Sequence, residues 1–148
     1  MKRLDYSLSG MLKQSLFSPT RANDREHRVL VVDDNLDYAR SFASIVAGIG
    51  HKAEYALNGY VALDLMNKFR PDVVFMDLTM PGMDGFEVAR RLKTAFGNAI
   101  HIIAVTGRCT EQDRERSAKA GCELHLLKPV DPIVIETILA SFRGFNRQ

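Results

Sequence analysis

Short runs built for strands recur five times along this chain, and four of them close on residues able to do chemistry. RVLVVD (28–33), DVVFMD (72–77), AIHIIAVT (99–106) and ELHLL (123–127) are apolar and rich in branched side chains, as suits strands buried on both faces, while KAEYAL (52–57) is more polar and reads as an edge. Amphipathic stretches lie between them. Ala39, Phe42, Ala43 and Val46 recur at i, i+3, i+4 and i+7, with Gly48 and Gly50 as the stop. After a predicted turn at Asn58-Gly59, the residues Ala62, Leu65, Met66 and Phe69 form a second stripe that Pro71 ends. A third helix is predicted to start at Asp84 as N-cap, with Glu87 reaching back to it and Leu92 and Phe96 facing the core. Thr110 and Asp113 are spaced as a capping box for a fourth, although TEQDRERSAKAG offers little apolar surface to hold it. Asp131-Pro132 then opens a fifth helix with Ile135, Ile138, Leu139 and Phe142 inward.

Strictly alternating strands and helices argue for an α/β architecture, a parallel sheet covered on both faces. A chain of 148 residues can bury one full core of this kind. The longest apolar runs fall far short of a membrane span. A net charge of +2 gives no overall field for nucleic acid or membrane. Cys109 and Cys122 are too few for a disulfide framework and read as reduced thiols of a cytoplasmic protein.

Residues 1–27 read as an N-terminal extension. Lys2 and Arg3 begin it like a signal peptide, but Asp5, Ser7, Ser9, Lys13 and Gln14 interrupt any apolar region, so that reading is rejected. Leu4, Leu8, Met11, Leu12 and Leu16 make a helical stripe that Pro19 would end, for either a capping helix or a docking helix.

In open α/β sheets the reactive groups gather at the carboxyl ends of the strands. Here those ends carry Asp33-Asp34, Asp77, Thr106 and Lys128-Pro129. Taken singly, an acid pair can cap a helix, an Asp before a Pro-Gly loop can form a turn, and a terminal Thr or Lys can be solvated. Their joint placement at four strand ends is what singles them out. Three carboxylates remain ionised side by side only if a cation relieves their repulsion. Hard oxygen donors with room for water suit Mg²⁺. A carboxylate can also act as nucleophile towards phosphorus, with a metal and a lysine neutralising the equatorial oxygens. In VVFMDLTMPGMDG (73–85) the apolar strand would fix Asp77, and the turn would bring backbone groups around it.

VLVVDD, VVFMDLTMPGMDG, IIAVTG and LLKPVD, in this order, resemble the receiver domain of two-component response regulators, in its single-domain chemotaxis-regulator-like form. The resemblance covers about residues 28–144 and sets a receiver domain at 28–145. It implies a flavodoxin-like (βα)5 doubly wound sheet in the order 2-1-3-4-5, a topology for which the chemotaxis receiver is a standing example. It further implies that Asp77 accepts a phosphoryl group from a histidine kinase or a histidine phosphotransfer protein. Mg²⁺ or Mn²⁺ would be held by Asp34, by Asp33 largely through water, by Asp77 and by the Thr79 backbone carbonyl. Lys128 would pair with the phosphoryl group, and Thr106 would hydrogen-bond one of its oxygens. The face spanning 110–142 would bind a downstream protein or a second copy. Self-phosphorylation and self-dephosphorylation would be the only chemistry, without enzymatic turnover, direct DNA binding or a membrane span.

This sequence departs from the family at the switch position, where Tyr or Phe is common and His125 stands. The ring either fills an aromatic-sized slot or makes the switch pH-sensitive. Thr79 and Arg108 occupy positions that tune phosphoryl hydrolysis in the family. His27, His51 and His101 show no pairing pattern in the sequence and read as surface or core residues. Four other readings stay in view: the receiver of a hybrid histidine kinase, an aspartyl-nucleophile phosphatase, a flavodoxin-like cofactor binder and an inactive scaffold. Met1 and the tail favour a complete small protein over the first. Thr79, where a phosphatase would carry an acid, counts against the second. DDNLD would repel the phosphate of a cofactor, and the filled acidic positions disfavour a scaffold.

Overall fold

The computed structural model describes residues 26–142, so the predicted helical stripe between Leu4 and Leu16 lies outside the described residues. Five strands, β1 (Arg28–Val32), β2 (Lys52–Ala56), β3 (Val73–Met76), β4 (His101–Thr106) and β5 (Leu124–Leu127), form one parallel sheet in the order β2-β1-β3-β4-β5. The helices are α1 (Leu36–Ile49), α2 (Gly59–Lys68), α3 (Gly85–Phe96), α4 (Glu111–Ala120) and α5 (Pro132–Ser141). No helix among the described residues is long and apolar enough to cross a membrane.

Strand alternation sorts the core into two layers. Val29, Val31, Val73, Phe75, Ile103 and Val105 pack under α1 and α5. Leu30, Val32, Val74, Met76, Ile102 and Ala104 pack under α2, α3 and α4. Both faces are covered, which is why these strands read as continuous apolar runs. β2 lies at the edge, as its polarity predicts, with only Ala56 buried.

The caps account for most helix boundaries. Asn35 accepts a hydrogen bond from Tyr38 N, and Gly50 closes α1 at φ 108°, a left-handed value suited to glycine. The predicted turn at Asn58-Gly59 is instead a helix start: Asn58 is the N-cap and accepts from Val61 N. Gly59 sits too close to Val88 for a side chain, so the turn residues serve helix packing. α2 ends at Lys68 with Phe69 as its C-cap, before Pro71 is reached. Asp84 caps α3 through Phe86 N, but Glu87 does not reach back; two arginines one turn on, Arg90 and Arg91, claim its carboxylate. Phe96 is 37% exposed at the end of α3 rather than in the core; Val88, Ala89 and Leu92 fill the inner face. The Thr110/Asp113 capping box forms as predicted. Asp131 caps α5, with Pro132 in its first turn. Phe142 lies partly buried, its ring stacked on His101 at 3.9 Å.

At the amino-terminal edge of the sheet, far in sequence from one another, His27 and Asp72 form a buried pair. His27 Nδ1 donates to Asp72 Oδ2 at 2.8 Å, and Nε2 faces the carbonyls of Leu139 and Phe142 at 2.9 and 3.0 Å. Both ring nitrogens face acceptors, so only the doubly protonated ring satisfies them all. Burial opposes that charge, but the bond and charge of Asp72 and the two carbonyls outweigh it and raise the His27 pKa. Burial likewise pushes Asp72 up, yet His27 and the Arg28 amide, 2.7 Å from Oδ1, bring its carboxyl below the ordinary value. His51 accepts the His27 backbone N–H at Nδ1 and is thereby fixed neutral; burial and the neighbouring His27 charge both lower its pKa. The histidines are thus not scattered: His27 clamps the end of α5 to the start of β1 and β3, and His101 pairs with Glu123 at 2.7 Å.

Because the folded pKa of His27 is raised, its contribution to stability is complete below about pH 6.5 and is lost as pH rises through the folded value. The Asp72 contribution has the opposite sense, present above about pH 3.9 and lost as pH falls through its lowered value. We expect His27→Ala to cost about 3–5 kcal/mol in urea unfolding at pH 6, since it strands a buried carboxylate. The variant should also lose the alkaline decline in stability expected of the wild type.

Candidate functional site

The parallel register brings four strand ends to one rim. Val32 is level with Met76, Met76 with Ala104, and Thr106 with Leu127. The residues at these strand ends therefore emerge near one another, and backbone bonds hold this alignment: Asp77 N to Val32 O at 2.8 Å and Lys128 N to Thr106 O at 2.7 Å.

Asp33, Asp34 and Asp77 each present a carboxylate oxygen within 4.8 Å of the others. Asp33 and Asp77 are buried, 2% and 5% exposed, and Asp34 is open to solvent. The Lys128 ammonium lies between the two buried acids, donating to Asp33 Oδ2 at 2.5 Å and to Asp77 Oδ2 at 3.1 Å. Asp33 Oδ1 accepts the Asn35 amide at 2.9 Å, so the N-cap of α1 and the site share one turn. Burial raises the Asp33 pKa despite Lys128 and Asn35. Burial pulls Lys128 down, but the two carboxylates outweigh it and raise its pKa. Beneath the ammonium is the ring of Tyr38, centroid 4.5 Å away.

The loop after β3 supports Asp77 from behind. Thr79 contributes its amide and its hydroxyl, each donating to Asp77 Oδ1 at 2.9 Å, contacts beyond the carbonyl role that family resemblance gives it. Leu78 and Met80 are buried and anchor the loop, which turns through Gly82. Gly85 closes it. A Cβ there would stand 2.6 Å from the Asp77 carbonyl oxygen and from Leu78 Cα, so α3 packs its first residue directly on the backbone that carries Asp77.

Thr106 and His125 form a second group on the opposite face of the sheet. The single Thr106 hydroxyl proton goes to the Arg108 carbonyl at 2.6 Å, which leaves His125 Nε2, 3.2 Å away, to act as donor to that oxygen. His125 Nδ1 is 3.1 Å from Ser117 Oγ on α4. Burial and then the Arg114 charge lower the His125 pKa. α4 buries only Ser117 and Ala120, in keeping with its polar sequence. Cys122 is buried and its thiol pushed up to about 12, so it is inert; Cys109 is a free, half-buried thiol that accepts from Arg114 Nε at 2.9 Å.

Asp33, Asp34, Asp77, Thr79 and Lys128 thus converge at one point, while Thr106 and His125 lead from the rim towards α4. Sequence reasoning missed Tyr38 and Ser117. An aromatic residue four positions after Asp34 was a readable signal for the first; nothing marked the second, a small residue on a polar helix.

A family model described as the response regulator receiver domain matches residues 29–140. The chain is 36% identical over 121 residues to the response regulator MprA of Mycobacterium sp. (strain KMS), a match covering 82% of this chain and 51% of that protein, so the chain spans about half the length of that relative. It is 37% identical over 112 residues to the polar-differentiation response regulator DivK of Brucella anthropi, covering 74% of this chain and 91% of DivK. The solved structure of the Vibrio cholerae chemotaxis protein CheY4 superposes with a TM-score of 0.73 at 26% identity, covering 78% of this chain and 97% of that one.

Gly85→Ala should destabilise the protein by about 1–3 kcal/mol through overpacking against the Asp77 backbone. Gly107→Ala, where a Cβ would meet nothing within 4 Å, should be neutral or stabilising by up to about 1 kcal/mol. Urea unfolding of the pair reads both.

Proposed function

The chain belongs to the response regulator receiver family, and we propose that it is a phosphorylation-controlled signalling module whose Asp77 accepts a phosphoryl group. The observation that carries this reading is the Lys128 ammonium shared by Asp33 and Asp77, with Asp34 beside them. Three carboxylates and one ammonium leave two negative charges at the site, the complement of a divalent cation. The donors are hard oxygens, two buried and one open to water, which fits Mg²⁺ or Mn²⁺ held by Asp33, Asp34, Asp77 and the Thr79 carbonyl. When bound, such a cation would offset the charge of incoming phosphoryl oxygens.

An Asp77 carboxylate oxygen is the nucleophile. Its bond to phosphorus forms as the donor's bond to phosphorus breaks, and the leaving group keeps that electron pair. Thr79 fixes the carboxylate through Oδ1, and Lys128 supplies positive charge at Oδ2. A histidine kinase or histidine phosphotransfer protein is the natural donor. The acceptor would be regenerated by slow self-dephosphorylation, with no enzymatic turnover. An aspartyl-nucleophile phosphatase is the weaker alternative because Thr79, which carries no acid, stands two residues after Asp77.

Phosphorylation adds about −1.5 to −2 charge at this point. Thr106, His125 and Ser117 form a hydrogen-bonded chain from the rim to α4, which among the described helices buries the least apolar surface. Leu127 and Ile133, 56% and 52% exposed, give the 110–142 face apolar contact points for a downstream protein or a second copy.

Incubation with Mg²⁺ and acetyl phosphate, followed by intact-mass measurement, tests the reading. One phosphoryl group should be gained by the wild type, and none by Asp77→Asn or in EDTA. Equal gain in Asp77→Asn would remove Asp77 from its role.

A further inference from the structure

We infer that Tyr38 is a positioning residue for Lys128: its ring seats the ammonium between Asp33 and Asp77, a role that rests on the phosphoryl-accepting reading of the site. The Lys128 nitrogen lies 4.5 Å from the Tyr38 ring centroid, within the range of a cation–π attraction. Tyr38 is itself held in place. Its amide donates to the Asn35 side chain at 3.1 Å, the cap that starts α1 next to Asp33 and Asp34. Its ring packs beside Phe42, centroids 6.1 Å apart, on the apolar layer under α1 and α5. Its hydroxyl lies near the Val130 backbone, two residues beyond Lys128. One side chain therefore meets the lysine's charge and lies beside the loop that carries it.

Lysine needs such a seat. Its ammonium ends a flexible four-carbon stem and carries considerable rotamer entropy, and the residue before it, Leu127, is 56% exposed. The bonds to Asp33 and Asp77 are directional, and the Asp77 partner changes shape and charge when an oxygen of that carboxylate becomes bonded to phosphorus. Attraction to a ring face does not depend on which oxygen the ammonium bonds. It also covers one side of the cation against water, which strengthens its interaction with the remaining acids. The ring thus keeps Lys128 in the site while its second partner is exchanged.

Tyr38→Phe keeps the ring and removes the hydroxyl; Tyr38→Leu keeps apolar bulk and removes the ring, with Tyr38→Met in its place should the leucine variant not fold. A first readout needs no phosphorylation. In protein with ¹³C-labelled lysine, the Lys128 Cε–Hε signal, assigned with Lys128→Ala, should lie upfield of the other lysines in the wild type and in Tyr38→Phe. It should move to the common position in Tyr38→Leu. A second readout is the rate of phosphorylation by acetyl phosphate with Mg²⁺. That rate should fall roughly 2- to 30-fold in Tyr38→Leu and stay within about two-fold of wild type in Tyr38→Phe, while Mn²⁺ affinity is retained in both. In a Lys128→Ala background Tyr38→Leu should cause no further loss. An unshifted Lys128 signal in the wild type, a full additional loss in the Lys128→Ala background, or an equal fall in Mn²⁺ affinity would overturn the inference. A wild type that shows the shifted signal yet takes no phosphoryl group would instead refute the function proposed above and leave the ring contact standing.

Discussion

The bond between one ammonium and two buried carboxylates is the interaction on which this site depends. Asp33 and Asp77 end neighbouring parallel strands, and the register that pairs Val32 with Met76 leaves them side by side below the surface. Two carboxylates so placed repel each other, and burial multiplies the cost. Lys128, 95 residues from Asp33 along the chain, relieves part of that cost by donating to both. Counted formally, three carboxylates and one ammonium leave the site with a charge of minus two. An incompletely neutralised acidic cluster on a rigid sheet has the electrostatics expected of a place where a divalent cation and a phosphoryl group meet.

Rigidity is unevenly distributed over the fold, high at the central strands and low at α4. β1, β3 and β4 are buried on both faces, and Gly85 lets α3 press on the Asp77 backbone, so that carboxylate has little freedom. At the other end of the sheet the His27–Asp72 pair ties the end of α5 to the strands. Between these fixed points α4 is held by a capping box, by Ser117 and Ala120, and by the Arg116 guanidinium over the Phe86 ring. Among the described helices α4 buries the least apolar surface and is held least firmly.

Much of the fold was legible because apolar periodicity and turn chemistry report local structure. The alternating runs marked every strand to within two residues, and Thr110/Asp113 and Asp131-Pro132 marked two helix starts. Misreadings came where a nearby group competed. Glu87 fits a capping box in sequence, yet Arg90 and Arg91 lie one turn away on the same helix and take its charge. Asn58-Gly59 has the letters of a turn, but a helix start uses Asn equally well, and Gly59 is needed for close packing against Val88.

What the sequence determined by itself was the set of strands, their polar carboxyl ends and hence the rim where Asp33, Asp34, Asp77, Thr106 and Lys128 gather, since each follows from local pattern and the parallel rule. Which of these residues touch was decided only in three dimensions. Strand alternation sends Asp33 and Asp77 to the side of α1 and α5, where Tyr38 meets Lys128, and sends Thr106 and His125 to the side of α4, where Ser117 waits. His27 found Asp72, 45 residues on, in the same way. Such pairs carry no local signature, because the distance between two side chains is set by the packing of whole elements and not by the residues that flank either one.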